Sequence, residues 1–254
     1  MYSDNVFSEE PDQKFYNNCL APTVLIETEY DMSSGIVLRS VKNKDNEYHN
    51  IGLSTAHSVV KKNIKVRVGT YDKSGGIKTS IICPGIIYAV DAYEDLSVFL
   101  FLSSSPVPTA TFDFTNKPFV GQEIYKVASG LGGSPRVDKG IISGLNRKVG
   151  PLKHSMQLSI YTVPGDSGSA LFNKGYKIIG ITKSIQTDRS NILYYNIGYA
   201  TDNQSVTNMV RKASGGLDFV VNSKSDLPII PFYEIKLFTF GKNPRPIPSN
   251  KWIK

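Results

Sequence analysis

The chain has 254 residues, 40% hydrophobic and 20% charged, a balance that excludes a disordered tail and fits one large all-β domain or two small β domains. Its formal net charge of +7 is spread along the chain with no dense Lys/Arg block, so contact with acidic surfaces is open to it but nucleic-acid binding is not indicated. No apolar run approaches the roughly 18 to 20 residues needed to span a bilayer, and no membrane association is expected.

Residues 1 to 18 form a polar, acidic arm in which Asp4, Glu9, Glu10 and Asp12 face only Lys14. It lacks the basic start and apolar core of a secretory signal. Short β-type runs follow, bounded by Gly, Pro, Asn and Ser. Pro22 to Thr28 and Ser34 to Arg39 predict a first hairpin. Ile51 to Thr55 leads into Ala56-His57, and Ile64 to Thr70 alternates with period two, as a half-buried strand does. Ile81-Ile82, Ile86 to Val90 and Leu96 to Leu102 complete a first half of about six strands.

Ser103 to Pro108, rich in Ser and Pro, predicts a connection. Strand patterns resume at Glu123 to Ala128, Gly140 to Gly144, Met156 to Tyr161, Ala170 to Phe172, Lys177 to Thr182 and Leu193 to Ala200. Asp202 to Lys212 is the one helix of any length, capped by Asp202 or Asn203, apolar at Val206, Met209 and Val210, and stopped by Gly215-Gly216. The division is an arm over 1–18, a β half over 19–105, a second β half with the helix over 106–215, and an extension over 216–254. That extension holds one more strand pattern, Glu234 to Phe240, and a Pro-rich end. Its positive charge is opposite to that of the arm, so the two can dock on each other or on a partner, or stay solvated.

Cys19 and Cys83 are the only cysteines, too few for a disulfide framework, and free thiols in a reducing, intracellular (cytoplasmic) compartment are expected. His49, His57 and His154 show none of the close pairings that metal sites use. Neither a metal nor another cofactor is expected.

The most informative stretch is Val163-Pro164-Gly165-Asp166-Ser167-Gly168-Ser169. A serine between glycines on a tight turn exposes its hydroxyl, while the N–H groups of Gly165 and Ser167 can face one small concavity where an oxyanion forms. Serine alone is a poor nucleophile and needs a base and a group that orients the base. His57 ends an apolar strand, and Asp95 opens the apolar run Leu96 to Leu102. The order is His, Asp, Ser, with intervals of 38 and 72 residues, the order of the chymotrypsin-type triad. Asp91 is a rival for Asp95 but lacks the apolar run directly behind it.

On T-A-H at 55–57, D-L-S-V at 95–98 and G-D-S-G-S at 165–169, the chain resembles trypsin-like serine peptidases of the chymotrypsin fold. The segments Val120 to Tyr125, Lys139 to Gly144, Gln157-Leu158 and Tyr176 to Ile181 resemble them too, with intervals similar to those of compact DegP-like and viral members. The resemblance covers roughly residues 20 to 215. It implies an all-β fold of two six-stranded antiparallel β-barrels with a C-terminal helix, acting on protein or peptide substrates. Were the chain viral, a virion or the host cytoplasm would be its location. Ser167 is implied as nucleophile, His57 as general base and then acid, Asp95 as the residue that orients the imidazole, Gly165 and Ser167 as oxyanion donors, and Asp166 as a brace for their loop. The sequence departs from the family at the missing Ile-Val-Gly-Gly start, which leaves the partner of Asp166 open, at Ser169 where Gly is usual, and at Ser58 where a cysteine is usual.

By the same resemblance the primary pocket is lined near Tyr161-Thr162, by Thr182-Lys183-Ser184 and near Gly198. No carboxylate lies at 161–163 to meet Arg or Lys, and no histidine lies at 180–184, so a small or apolar substrate side chain is expected. An α/β-hydrolase is excluded, because Ser169 breaks G-x-S-x-G and no histidine follows residue 154. Gly130-Leu131-Gly132-Gly133 lacks the Lys-Ser/Thr of a phosphate loop and reads as a loop beside the cleft. The competing reading is a peptidase-fold scaffold or binding protein without turnover, part of a larger assembly that uses the two arms.

Overall fold

The computed structural model describes residues 13–213, apart from 30, 44, 60–63, 73–74, 150–151 and 188–191, together with the strands at 237–240 and 246–247. Six strands make the first barrel: β1 (Thr23–Glu27), β2 (Met32–Lys42), β3 (Tyr48–Ser54), β4 (Ile64–Tyr71), β5 (Ile77–Asp91) and β6 (Leu96–Ser103). They run in the order β5-β4-β1-β2-β3-β6, and β5 also pairs with β6 to close the ring. The second barrel closes in the order β10-β11-β12-β9-β8-β7, from β7 (Glu123–Ala128), β8 (Arg136–Val149), β9 (Leu152–Ser159), β10 (Ala170–Phe172), β11 (Ile178–Thr187) and β12 (Leu193–Asp202). Every pairing within either barrel is antiparallel. The two-barrel expectation holds.

Three apolar clusters account for the strand patterns. Ile64, Val66 and Val68 of β4 point inward with Val24, Ile26, Phe99 and Phe101 to fill the first barrel. Ile124, Ile142, Met156, Leu158 and Ile179 fill the second. A third cluster is the seam between barrels, where Ile36, Leu53, Leu96 and Val98 meet Val127, Phe172, Ile178 and Ile181. The run Leu96 to Leu102 does not alternate because β6 is buried on both faces, one toward its barrel and one toward the seam. Phe99 occupies the space left by two glycines: a Cβ on Gly52 would lie 2.3 Å from its ring and one on Gly35 3.1 Å.

Several elements differ from the sequence expectation. Ile81-Ile82 and Ile86 to Val90 belong to one strand, β5, with Pro84 inside it. Pairing with β6 begins only at Gly85, so Pro84 sits where β5 is still an edge and needs no donor on that side. The arm over 1–18, which the sequence left free to dock or stay solvated, continues into helical turns at Gln13–Phe15 and Tyr16–Leu20. Phe15 packs edge-on against Tyr125 and Tyr176, and Cys19 and Leu20 are buried in the seam cluster. Cys19 and Cys83 are both buried and not joined to each other. The helix, Asn203–Ala213, begins as expected, with the Ser205 N–H donating to Asp202 Oδ1 at 2.8 Å and Val206 and Met209 buried. Its stop at Gly215-Gly216, like residues 1–12 and most of the extension, lies outside the described residues. Within the extension, β13 (Leu237–Phe240) adds to β5 in parallel and β14 (Pro246–Ile247) pairs with β13.

The connection between barrels is pinned by Asp113, which accepts from Thr115, Asn116 and Asn173. Burial pushes its carboxyl up, but the hydrogen bonds from Asn116 and Thr115 outweigh burial and hold it at about 2. Because that value lies below the unfolded one, the stabilisation is complete above about pH 4 and is lost as pH falls toward 2. Asp113→Asn is expected to remove about 1–2 kcal/mol of stability at pH 6 and almost none at pH 2, as urea melts across that range measure. Phe99→Ala is expected to cost about 3–5 kcal/mol in the same melts at pH 7.

Candidate active site

The register of the first barrel brings two chemistry-bearing residues together. β3 and β6 pair with Ser54 opposite Ser97, so the residues just past β3 and just before β6 share one rim. There His57 stands in the short helical turn Ala56–Val59, and Asp95 ends the turn from β5 with φ of 53°. Asp95 accepts the His57 N–H at Oδ1, 3.0 Å, and His57 Nδ1 at Oδ2, 2.7 Å. Ser97 Oγ donates to Thr55 O at 3.1 Å and ties the strand ends. One carboxylate thus grips both the backbone and the ring of the same histidine, which fixes the imidazole with Nδ1–H toward Asp95 and Nε2 free to accept. Asp91 faces elsewhere, accepting the N–H groups of Tyr93 and Glu94, and so shapes the turn that delivers Asp95.

Ser167 arrives from the second barrel, three residues before β10. Its Oγ lies 3.1 Å from His57 Nε2. The loop turns twice through left-handed glycine, at Gly165 (φ +92°) and Gly168 (φ +86°), conformations that side chains rarely adopt. The Gly168 N–H donates to Thr182 O, and the Ser169 N–H to Asp166 O. The N–H groups of Gly165 and Ser167 make no hydrogen bond among the described residues, which leaves two adjacent donors available beside the serine hydroxyl.

The loop is also held by the first barrel, through a residue the sequence reading missed. The Ser34 N–H donates to Ser167 O at 2.9 Å, its Oγ donates to Gly165 O at 3.0 Å and accepts the Ser129 N–H at 2.9 Å, and its carbonyl accepts Ser54 Oγ at 2.8 Å. Beneath the loop lies an ion cluster, also unforeseen: Asp166, fully buried, is met by Lys126 and Arg136. The signal available for Lys126 was its place between Ile124 and Ala128, the buried apolar positions on the same face of β7.

A cavity of about 550 Å³ opens at the junction, lined by His57, Asp95 and Ser167 together with Thr162, Val163, Pro164, Thr182, Lys183, Ser184 and Ile185. Of the residues expected in the pocket, Thr162, Thr182, Lys183 and Ser184 therefore face it. Tyr161 is not among the lining residues: it is half exposed with its ring against Arg136, while its carbonyl accepts from Lys126. Gly198 stands behind Thr162, where a Cβ would come within 2.8 Å of Thr162 Oγ1, so its lack of a side chain makes room for the wall. Lys183 occupies a β-bulge between Thr182 and Ser184. Its carbonyl lies 3.5 Å from Ser167 Oγ, and its buried ammonium makes no hydrogen bond among the described residues. Burial pushes that ammonium below the usual lysine range, opposed by Glu94, Asp95 and Asp202. Among the described residues no group of three or more His, Cys, Asp or Glu side chains could hold a metal.

Gly168→Ala tests how tightly the loop is seated. A Cβ there would lie 2.1 Å from Ser34 O and 2.3 Å from Ser54 Oγ, and the φ is wrong for alanine, so a loss of about 2–3 kcal/mol is expected in urea melts.

Comparison with known proteins places this geometry. The family model described as trypsin-like peptidase domain matches residues 34–181. Two curated relatives, both named serine protease Do-like HtrA, come from Lactococcus lactis. The one from subspecies cremoris is 30% identical over 151 residues, 55% of this chain and 36% of the relative, and the one from subspecies lactis is 29% identical over 153 residues with the same coverage. The match thus spans about a third of these relatives' length. Among solved structures, the serine endoprotease from Yersinia pestis is 18% identical with a TM-score of 0.62, covering 82% of this chain and 67% of its own. The HtrA-type protease AlgW with tripeptide, also 18% identical, has a TM-score of 0.63 and coverages of 79% and 62%. At that identity the structural likeness establishes the fold.

Proposed function

Since the chain belongs to the trypsin-like peptidase domain family, we propose that it is a serine endopeptidase working through His57, Asp95 and Ser167. The observation that carries this reading is the unbroken hydrogen-bonded line from Asp95 Oδ2 through His57 to Ser167 Oγ, at 2.7 and 3.1 Å, in a cavity open to a peptide. Ser167 Oγ attacks the scissile carbonyl carbon while His57 Nε2 takes its proton, and the imidazolium is stabilised by the Asp95 carboxylate. The carbonyl oxygen becomes an oxyanion received by the Gly165 and Ser167 N–H groups. Collapse of the intermediate breaks the C–N bond, His57 returns the proton to the leaving amine, and an acyl-enzyme remains on Ser167. Water then enters, gives a proton to Nε2, and releases the acid by the same steps in reverse. No cofactor takes part.

The wall favours a small or apolar side chain on the acyl side of the cut bond. Thr162, Val163 and Thr182 line the cavity with small or apolar groups, and the segment 161–164 offers no carboxylate. Lys126 reaches Thr162 Oγ1 from behind, and the Lys183 side chain is buried near the cavity, so an entering Arg or Lys would meet like charge in a poorly solvated place. Peptides ending the acyl side in Ala or Val are expected to exceed Arg or Lys peptides in kcat/KM by at least about tenfold, measured with matched chromogenic substrates.

A fluorophosphonate probe tests the activity itself. Folded wild type is expected to label on Ser167, Ser167→Ala to lose all labelling, and His57→Ala to slow it by about 10³-fold or more. Labelling that persists in Ser167→Ala, or an inert wild type, would overturn the assignment in favour of a scaffold without turnover.

A further inference from the structure

Asp166 lies between the two residues whose amides face the oxyanion position, and it has no exposed surface. A carboxylate so placed is strongly destabilising unless cations and donors compensate it. Its Oδ2 accepts Lys126 Nζ at 2.6 Å, Arg136 Nη2 at 2.7 Å and the Val163 N–H at 3.0 Å. Oδ1 accepts no hydrogen bond among the described residues, and Gly130 packs so close that a Cβ there would come within 2.5 Å of it. Compensation therefore converges on one oxygen.

The two cations are not equivalent. Arg136 keeps 31% of its side chain exposed and holds Asp138 through Nε at 3.0 and 2.9 Å. Lys126 has no exposed surface. Besides Asp166 it donates to Tyr161 O and, at 3.3 Å, to Thr162 Oγ1, and it lies 3.4 Å from Asp138 Oδ2. Its ammonium thus bonds to residues 161, 162 and 166, which bracket the turn that presents the donors. The strand beneath is rigid: Lys126 pairs with Leu171 of β10 on one side and Asp138 of β8 on the other. Burial pushes the ammonium below the usual lysine range, opposed first by Asp166 and then by Asp138.

We propose that Lys126 is a positioning residue for the acyl transfer: its buried ammonium fixes Asp166, and through Asp166 holds the Gly165 and Ser167 amides where the oxyanion forms. The inference rests on the serine-peptidase reading above. The cation that sets this loop is a side chain of the barrel wall, so the donors are arranged without any newly freed α-amino group. Without the ammonium, Asp166 keeps only the half-buried Arg136 and the Val163 N–H, and the bonds that tie Tyr161 O and Thr162 Oγ1 to the barrel wall are lost, so the turn 163–167 loses its anchor.

The test uses the full chain with Lys126→Met, Asp166→Asn, the double variant and Arg136→Gln. Each is assayed for folding by melting, for kcat and KM on a peptide substrate, and for inhibition by a peptide aldehyde, whose tetrahedral adduct needs the oxyanion donors. Lys126→Met is expected to lower kcat by about 100-fold with KM within about threefold, and to weaken the aldehyde by a similar factor. Asp166→Asn is expected to do the same, and the double variant to be no worse than the poorer single, as for two residues acting through one contact. Arg136→Gln is expected to cost less than about tenfold. A folded Lys126→Met with kcat within threefold of wild type overturns the inference, as does a loss confined to KM or losses that multiply in the double variant. If Lys126→Met does not fold, Asp166→Asn decides by the same kcat and aldehyde criteria. A folded wild type that never labels with fluorophosphonate overturns the peptidase reading and this inference together, whereas a labelled wild type beside an equally active Lys126→Met overturns this inference alone.

Discussion

Ser34 donates its N–H to the carbonyl of Ser167 and its hydroxyl to the carbonyl of Gly165, and on those two bonds across the seam the rest of the site depends. His57 and Asp95 belong to the first barrel and Ser167 to the second. A proton can pass between them only if the two bodies are held at a fixed distance. The apolar seam supplies the bulk of the attraction but has no direction, since Ile36, Leu53, Phe172 and Ile178 would tolerate small slides. Hydrogen bonds have direction. Placed on the residue whose side chain must meet His57, they convert a general adhesion of two barrels into a defined 3.1 Å contact.

The charges around the site fall into two sets. Above the loop, the Asp95 carboxylate is matched by the His57 ring. Below it, Asp166, Asp138, Lys126 and Arg136 balance in pairs, held by good geometry within the protein. Buried pairs of this kind add little net stability compared with apolar residues of the same volume, but they are strongly directional and costly to break. That asymmetry suits a loop that must keep one conformation while turning twice through positive-φ glycines. Lys183 belongs to neither set. Its buried ammonium lies near Glu94, Asp95 and Asp202 and makes no hydrogen bond among the described residues.

The strands were legible because each had to hide an apolar face, and the turns because Gly, Pro and Asn mark them. Two features escaped for physical reasons. β5 reads as two strands since its first half is an exposed hairpin and only its second half closes a barrel, so its apolar pattern changes midway while its backbone does not. Residues 13–18, left by the sequence free to dock or to stay solvated, are decided by Tyr125 and Tyr176, more than 100 residues away, against which Phe15 packs. Tyr161 illustrates the same limit within the site: position in the chain puts it beside the pocket, but its carbonyl accepts from Lys126 and its ring lies against Arg136 and Tyr195.

Residue type and spacing along the chain were enough to pick out His57, Asp95 and Ser167 in their order, the glycines that let the serine loop turn, and the apolar periodicity of two β halves. These are local properties, written in residue type and spacing. The tertiary structure decided which donors and cations hold the loop: Ser34, Lys126, Arg136 and Asp138 come from strands whose own patterns carry no catalytic signature. Their roles exist only because closing two barrels brings distant, individually unremarkable polar groups within hydrogen-bonding distance of one turn.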